Sequence, residues 1–497
     1  MDDAGSVIQL TRCDRLAYGL NGLYPYCWAG VVGQAGIGGS IWSARIAGKS
    51  SNANLLRGVE AQDERAHGRE RCQRSARLVC LVASTGDKGV GLAGAEMAAN
   101  LERMRGGNVE GVKFSVVIPY RRRLDNIRPV LQSLAEQTID PSRFEVIVGA
   151  IEYSEEFVRL CQEFTDRFTI ITVMSAGEWN VCRARNLAMR QVTGQVIVVL
   201  DADMAIPPRL LERLSSEYFT QGRQICVLGR AAGYDDMLSK SDIPSASALP
   251  FDHYRELLSE LEGNGGVVED LRDDLEDPPL PWTLVWGGLV ALSAALVARH
   301  GLTFDEGFTG WGAEDQELGY RIQAAGIPIE LAKDIYGLHL PHDRDIAFQD
   351  EFSKVNERYF LTKWPTLGVE SWLRFTWHEA NLIYRDIEEE VTRCAGGSGR
   401  MLSVAWGMVG GNEVLVVGAV IDEEHRLIGQ EVPAIFDGES PREVLPLAGF
   451  ALPYDDLQFQ ECHVMPPAYC LTERYREAVL AEADRVAGRV VQERSGA

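Results

Sequence analysis

The sequence predicts an α/β protein with a mostly parallel, Rossmann-like sheet, followed by a β-rich C-terminal region. Between residues 113 and 340, short apolar runs rich in β-branched residues alternate with helical patterns, which is typical of a doubly wound sheet. One run, 196–200, leads directly into Asp201 and Asp203, at the strand end where open α/β sheets bind ligands. After Pro365, apolar runs joined by Gly, Asn and Asp turns predict the second, β-rich region.

The composition narrows the class of protein. With 497 residues, 46% hydrophobic and 24% charged, the chain is long enough for two or three ordinary globular domains. The net charge of −23 argues against sequence-independent binding of nucleic acid or of an anionic membrane, because both require basic surface. The ten cysteines are scattered, without zinc-ligand spacing, which favours a reducing cytoplasm. No stretch is interpreted as a signal peptide or a membrane-spanning helix.

The elements are predicted in chain order from periodicity and turn residues. Residues 1–110 are interpreted as a poorly defined extension with one short helix over 96–105, residues 111–365 as the α/β domain, and residues 366–497 as a β-rich accessory domain with a C-terminal helix. The acidic stretch 252–281 is interpreted as an inserted helix and loop. Strands are predicted over 114–119, 144–149, 168–174, 196–200, 225–229, 401–408, 414–421 and 427–435, and helices over 128–137, 181–191, 316–325 and 472–493.

The carboxylates that follow the strand 196–200 are candidate metal ligands. An Asp-x-Asp at a sheet edge can hold Mg²⁺ or Mn²⁺, and an ion held in this way usually also binds the phosphates of a substrate. The alternative is a solvated acidic turn, since Asp is common in turns. His339 and His342 flank Pro341 closely. They are either packed or surface histidines, or further ligands for Mn²⁺.

Arginines are concentrated at the same predicted sheet edge. Three consecutive arginines, 121–123, follow the first strand, where planar guanidinium groups can bind a diphosphate or a base. A solvated turn is the alternative reading of these three residues. Arg183 and Arg185 begin the helix that precedes the acidic strand. They either contact a donor molecule or have a structural role, tethering Asp201 by ion pairing.

The run 310–315, Gly-Trp-Gly-Ala-Glu-Asp, is a more specific signal. Its glycines let the backbone approach a ligand, its indole offers a stacking face, and Glu314 and Asp315 open a predicted helix. Carboxylates in a first helical turn also stabilise the helix dipole, so a purely structural role is the alternative. In a sugar transfer, one of them can act as general base on an acceptor hydroxyl.

Taken in order, these motifs resemble a GT-A-fold nucleotide-sugar glycosyltransferase of family 2 type over residues 113–365. The second half of this span is similar to the C-terminal galactosyltransferase region shared by β-1,4-galactosyltransferases and bacterial chondroitin-polymerase-like enzymes. Several ordered motifs are more specific than any one alone. The matching pieces are 118–123, 183–186, 201–203, 286–288, 310–315 and 342–345.

The resemblance implies an inverting transfer from a UDP-sugar donor to a hydroxyl of a saccharide or small natural-product acceptor. It implies Mn²⁺, or Mg²⁺, bound by Asp203 and His342, with His339 where some relatives place a third ligand. It implies that Asp315 is the base and that Glu314 holds donor or acceptor hydroxyls. The other donor-binding residues that it implies are Pro119, Tyr120, Arg121, Arg123, Asp201, Ala202, Gly288 and Trp311.

The chain also departs from the family pattern. Ala313 stands where many relatives have a second glycine, and nothing in 1–110 or 366–497 matches the family. A retaining transferase is one alternative, because polypeptide N-acetylgalactosaminyltransferases carry a similar Trp-Gly-Gly-Glu run and retain configuration. A catalytically silent sugar-nucleotide or glycan-binding protein is another. Asp315 favours inversion, and together with Asp203 and His342 it argues against a silent binder, which needs no base.

Overall fold

A computed structural model describes residues 29–34, 41–46, 77–83, 112–232, 249–266, 268–342 and 346–493. The predicted helix 96–105 and residues 343–345 of the last motif lie outside the described residues. Within the described part of the chain, eleven strands form one mixed sheet. They are Ala29–Gln34 (β1), Ile41–Ile46 (β2), Arg77–Ala83 (β3), Phe114–Tyr120 (β4), Phe144–Ala150 (β5), Thr169–Ser175 (β6), Val196–Leu200 (β7), Met204–Ala205 (β8), Cys226–Ala232 (β9), Leu289–Ser293 (β10) and Ile329–His339 (β11).

The centre of this sheet is parallel, in the order β3-β6-β5-β4-β7. The strand β10 then lies antiparallel between β7 and β9, and β11 runs parallel to β9 and antiparallel to β8. Every residue of β4, β5 and β7 is buried, which explains why these strands read as continuous apolar runs. The predicted α/β class is confirmed, and the centre of the sheet is parallel as expected.

Helices connect the strands, and polar side chains mark where several of them begin. The side chain of Ser154 accepts a hydrogen bond from Phe157 N, and that of Asn180 accepts one from Arg183 N, as expected for helix N-caps. Among the described residues, no helix is both long and apolar enough to cross a membrane. The helices are Leu124–Ala135 (α1), Glu155–Gln162 (α2), Val181–Met189 (α3), Leu210–Arg213 (α4), Phe251–Gly263 (α5), Ala294–His300 (α6), Glu314–Ala324 (α7), Ile346–Lys363 (α8), Leu367–Cys394 (α9), Pro466–Tyr469 (α10) and Glu473–Val486 (α11).

A second, five-stranded sheet forms the C-terminal part of the described chain, and the predicted β-rich region is confirmed. Its order is β14-β12-β13-β15-β16, with β15 parallel to both neighbours. The strands are Arg400–Val409 (β12), Asn412–Asp422 (β13), Glu443–Leu445 (β14), Glu461–Val464 (β15) and Val490–Gln492 (β16).

Two predictions for this region are wrong or incomplete. The predicted strand 427–435 contributes one isolated bridge at Leu427 and then a 3₁₀ turn, Pro433–Ile435, whose proline has no N–H for a sheet ladder. The predicted helix 472–493 ends at Val486, and the chain continues as β16. The long helices α8 and α9 were not predicted.

Helix α9 joins the two sheets. Glu370, in its first turn, is fully buried, and its carboxylate accepts backbone N–H groups from Ala448 at 2.9 Å and from Gly449 and Phe450 at 2.6 Å each. One hydrophobic core runs from the large sheet through α9 to the second sheet and includes Trp282, Phe375 and Phe450. The core therefore crosses the predicted boundary at 365/366, and the division into domains stays a prediction.

The carboxylate of Glu370 yields a prediction about stability. Glu370→Ala leaves three buried N–H groups without an acceptor, so we expect the free energy of unfolding to fall by on the order of 3 kcal/mol. Urea unfolding of the full chain measures this change. Glu389, which is exposed on the same helix, provides the control, and Glu389→Ala should have little effect. Equal loss of stability in both variants would contradict the assigned role.

Candidate active site

The carboxyl end of β7 meets two other segments of the chain. Asp201 donates its backbone N–H to the carbonyl of Gly288 at 3.0 Å, and the carbonyl of Asp203 accepts the N–H of Leu340 at 2.7 Å. The first bond places Asp201 beside the Trp-Gly-Gly motif, and the second places Asp203 beside the end of β11. Motifs that are far apart in the sequence thus share one edge of the sheet. Open α/β sheets bind their ligands at this edge, outside the carboxyl ends of the strands.

Asp203 forms a cluster with two histidines. Its carboxylate oxygens lie 3.9 Å from His339 Nε2 and 3.6 Å from His342 Nε2. One possible ligand atom from each residue lies within 4.8 Å of the others. The mixture of carboxylate and imidazole fits Mn²⁺ better than Mg²⁺, which prefers an all-oxygen shell. The structure therefore brings together the three residues predicted as metal ligands.

The last residue of β4 and the arginines after it behave in different ways at this edge. The guanidinium of Arg123, which is 43% exposed, donates a hydrogen bond to the Asp203 carboxylate. The ring of Tyr120 instead stacks on Phe157 with centroids 4.1 Å apart and is 1% exposed. Burial raises the pKa of this phenol well above its ordinary value. Tyr120 thus uses its side chain in packing, and its backbone carbonyl accepts the N–H of Ile151 at 3.3 Å.

A buried arginine links the acidic strand to the Glu-Asp pair. Arg185, with a side chain only 2% exposed, donates to Asp315 Oδ1 at 2.8 Å and to Asp201 Oδ1 at 3.1 Å, with Glu314 Oε1 3.6 Å away. Burial lowers the pKa of Arg185, but the three carboxylates outweigh burial and raise it. The ring of Phe304 covers the guanidinium at 4.7 Å. Arg185 thus makes the predicted ion pair with Asp201, and it also bonds to Asp315.

The two carboxylates at the start of α7 have unusual surroundings. Asp315 Oδ2 accepts the backbone N–H of Gly287 at 2.7 Å, and a side chain at Gly287 would clash with this oxygen because its Cβ would lie 2.4 Å away. Burial, and next the charge of Asp315, raise the pKa of Glu314 to about 7. Burial also raises the pKa of Asp315, although Arg185 opposes this. Perturbed carboxylates of this kind concentrate at functional sites.

The loop before α7 is held in a special conformation by α8. Gly310 and Gly312 have positive φ of 69° and 99°, and the side chain of Asn356, 2% exposed, donates to Thr309 O and Gly312 O at 2.8 and 3.0 Å. The side chain of Trp311, between the two glycines, is 47% exposed. The loop therefore presents a large aromatic ring to solvent beside the Glu-Asp pair.

Ala313 is the residue that departs from the family pattern, and its backbone shows the consequence. It precedes α7 with φ of 67° and ψ of −13°, in the left-handed region. A residue with a Cβ pays about 1–2 kcal/mol there, whereas glycine adopts this conformation readily. Ala313 thus stiffens the turn at the expense of local strain.

Comparison with known proteins identifies the segment that carries this site. Residues 115–264 match the family described as "Glycosyl transferase family 2", and residues 274–343 match "N-terminal domain of galactosyltransferase". Both matches are thus to glycosyltransferase families, over the part of the chain that carries the site. The predicted resemblance is confirmed, and the expectation of a glycosyltransferase agrees with both matches. The two matched segments contain all the predicted site residues.

Individual relatives of this glycosyltransferase domain support the same assignment. Validoxylamine A glucosyltransferase of Streptomyces hygroscopicus subsp. limoneus is 31% identical over 269 residues, which cover 52% of this chain and 58% of that protein. Chondroitin synthase of Escherichia coli is 29% identical over 229 residues, 43% of this chain and 32% of that protein. The S. aureus TarS crystal structure matches with 15% identity and a TM-score of 0.38, over 54% of this chain and 43% of that one, a likeness too weak to carry an argument. The match thus spans little more than half the length of Validoxylamine A glucosyltransferase.

Sequence reasoning missed several residues that organise the site of the glycosyltransferase domain. Asn356 could not be found, because α8 itself was not predicted. The need for glycine at position 287 was visible only as part of the Trp-Gly-Gly match, and its close approach to Asp315 depends on the tertiary structure. Arg185 was named for a bond to Asp201, but its bond to Asp315, 130 residues away in the chain, had no local signal.

The raised pKa of Glu314 predicts a pH-dependent stability. Between its ordinary pKa of 4.5 and about 7, the folded protein binds more protons at Glu314 than the unfolded chain does, so the free energy of unfolding falls as pH rises. Glu314→Gln removes this decline. From pH 5.5 to 8, we expect the variant to gain about 2 kcal/mol relative to the unchanged protein, as measured by urea unfolding.

The exposed Glu178 provides the control for this experiment. Glu178→Gln makes the same change at the surface, and any pH dependence that it shares with Glu314→Gln is not due to Glu314. A parallel pH dependence in Glu314→Gln and in the unchanged protein would show that Glu314 has an ordinary pKa.

Proposed function

We propose that this chain transfers a sugar from a UDP-sugar donor to a hydroxyl of a saccharide or small natural product, with Mn²⁺ and with inversion at the anomeric carbon. The observation that carries the proposal is the bridge made by Arg185, which holds Asp315 and Asp201 on one guanidinium and so places the candidate base beside the Asp-x-Asp carboxylates. Because the relative Validoxylamine A glucosyltransferase is named for glucose transfer, UDP-glucose is the donor to test first.

The donor side of the proposed reaction lies around Asp203. Asp203, His339 and His342 would hold Mn²⁺, which, when bound, would offset the negative charge on the departing diphosphate. Arg123 contacts the Asp203 carboxylate and so has its guanidinium at the position where phosphate oxygens would be bound. The backbone of Gly288, with φ of 98°, borders Asp201 without a side chain between them.

Other residues complete the proposed donor site. Pro119 and Tyr120, which end β4 at this edge, would border the nucleotide, with Arg121 beside them. Ala202 lies between the two aspartates. The exposed ring of Trp311 would cover the sugar.

The acceptor side is organised by Asp315. Its carboxylate would remove the proton from the acceptor hydroxyl while that oxygen forms the new bond to the anomeric carbon and the bond to UDP breaks. Arg185 and the N–H of Gly287 fix the orientation of the carboxylate, and its raised pKa makes it a stronger base than an ordinary aspartate. Glu314 would bind hydroxyl groups beside it. One displacement on the face opposite the leaving group inverts the configuration.

A cytoplasmic location is part of the proposal. Cys161, Cys182 and Cys226 carry free thiols, as expected in a reducing compartment. The interior position of several of these thiols also shows that they serve as small apolar core residues.

The role of Asp315 is tested by Asp315→Asn. We expect the variant to bind UDP in the presence of Mn²⁺ with an affinity within about threefold of the unchanged protein, and to lose at least a hundredfold in sugar transfer, since the amide cannot accept the proton. Calorimetric titration of UDP measures binding, and UDP release from UDP-glucose and other common donors measures turnover. The exposed Asp274 provides the control variant, Asp274→Asn. Undiminished turnover in Asp315→Asn would refute the base assignment.

The metal site is tested by Asp203→Ala. Loss of the carboxylate should abolish the part of UDP affinity that depends on Mn²⁺, while chelator should have no further effect on the variant. Titrations of UDP with Mn²⁺ and with EDTA, on the variant and on the control Asp166→Ala, measure the difference. If the unchanged protein binds UDP equally well with Mn²⁺ and with EDTA, the metal-dependent mechanism is wrong. If it releases no UDP from any donor but binds glycans, the silent binder replaces the transferase.

A further inference from the structure

Helix α9 is interrupted close to the candidate active site. Thr376 has φ of 64° and ψ of 170°, a combination that is essentially restricted to glycine and costs a residue with a Cβ about 1–3 kcal/mol. Strain of this kind persists only where the surroundings enforce it. The next residue, Trp377, packs edge-on against Trp286, with ring centroids 5.1 Å apart and planes at 84°. The break therefore sits at the point where α9 meets the Trp-Gly-Gly segment.

A buried asparagine fixes this contact. Asn381, 5% exposed, accepts the N–H of Leu280 at 2.9 Å and donates to Thr283 Oγ1 at 2.8 Å and to Trp377 O at 2.7 Å. The indole N–H of Trp286 donates to Thr283 O at 3.1 Å. Thr283 thus bonds both to the Trp286 indole and to Asn381, and Asn381 in turn bonds to the Trp377 carbonyl.

Trp286 also adjoins the proposed base. It precedes Gly287, whose N–H binds Asp315. The guanidinium of Arg272, 3% exposed, lies 4.6 Å from the centroid of the Trp286 ring and is itself held by Asp270 and by the Leu284 carbonyl. The ring is therefore supported from one side by a rigid cation and is connected through a single glycine to the carboxylate that would activate the acceptor.

The two rings differ from a tryptophan that serves only the core. Trp282, four residues before Trp286, is 2% exposed and is surrounded by Tyr320, Phe360 and Trp372. Trp286 and Trp377 are instead only partly buried. Partly exposed tryptophans are typical of binding surfaces, because the indole combines a large apolar face with a polar edge.

We propose that Trp286 and Trp377 form the acceptor subsite, on which the ring of a saccharide or cyclitol stacks so that one of its hydroxyls reaches Asp315. This proposal rests on the proposed function. The C–H groups of such rings pack well on indole faces, and sites between two parts of a chain are common positions for small ligands. Since Trp377 lies outside both segments matched by the families, the C-terminal region contributes its own side chain to acceptor choice.

The proposal is tested by Trp377→Ala and Trp377→Phe in the full chain, with Trp406→Ala as control because Trp406 lies in the second sheet. The probes are methyl β-D-glucopyranoside and myo-inositol. Their binding is measured by saturation-transfer NMR in the presence of UDP and Mn²⁺. We expect at least one probe to bind the unchanged protein, Trp377→Ala to weaken it tenfold or more, and Trp377→Phe and Trp406→Ala to stay within threefold. Equal binding to Trp377→Ala, or no binding of either probe to the unchanged protein, overturns the subsite.

A parallel titration of UDP separates this proposal from the proposed function. We expect Trp377→Ala to bind UDP as the unchanged protein does, because Trp377 is assigned to the acceptor. If the unchanged protein fails to bind UDP, the transferase proposal fails, whereas normal UDP binding with an unaltered probe affinity in Trp377→Ala overturns only the subsite. If Trp377→Ala does not fold, Trp377→Leu takes its place in the same comparison. Leucine keeps much of the apolar volume but removes the aromatic face.

Discussion

The candidate active site depends on one buried cation. Arg185 bonds to Asp201 and Asp315 and lies near Glu314, so three carboxylates share the charge of a guanidinium that is almost fully removed from water. Buried charges are costly unless they are paired, and removal of the arginine would leave the carboxylates to repel one another. The end of β7 and the start of α7 can therefore meet only because α3 presents Arg185 between them. The positions of the proposed base and of the Asp-x-Asp motif follow from this pairing.

The helices that follow the matched segments are the second support of the site. Asn356 on α8 binds the carbonyls of the Gly-Trp-Gly loop. Glu317 on α7 is fully buried and accepts hydrogen bonds from Lys363, the last residue of α8, and from Trp364, which follows it. Helix α9 then carries the core across to the second sheet. The C-terminal region is thus built into the framework of the site, which gives it a physical means of shaping acceptor recognition.

Local patterns were sufficient where one element makes its contacts by itself. Buried parallel strands read as apolar runs, and the predicted strands at 114–119, 144–149 and 196–200 differ from the observed ones by a residue or less. Helix α8 escaped prediction because Val355 and Tyr359 are exposed while their neighbours Phe360 and Leu361 are buried, which blurs its apolar stripe. Residues 427–435 were wrongly predicted as a strand, because their apolar residues lie in turns and not in a hydrogen-bonded strand pair.

The sequence by itself determined the α/β class, the position of Asp201 and Asp203 at a strand end, and the grouping of the histidines with them, because each depends on local periodicity or on a motif. Only the tertiary structure decided which groups are in contact. Arg185 bonds to Asp315, 130 residues away in the chain, and Asn356 bonds to the Gly-Trp-Gly loop. Trp377 packs against Trp286 at a strained break in α9. These contacts join elements that are distant in the chain. Their partners are chosen by packing of the whole core, which no local pattern records.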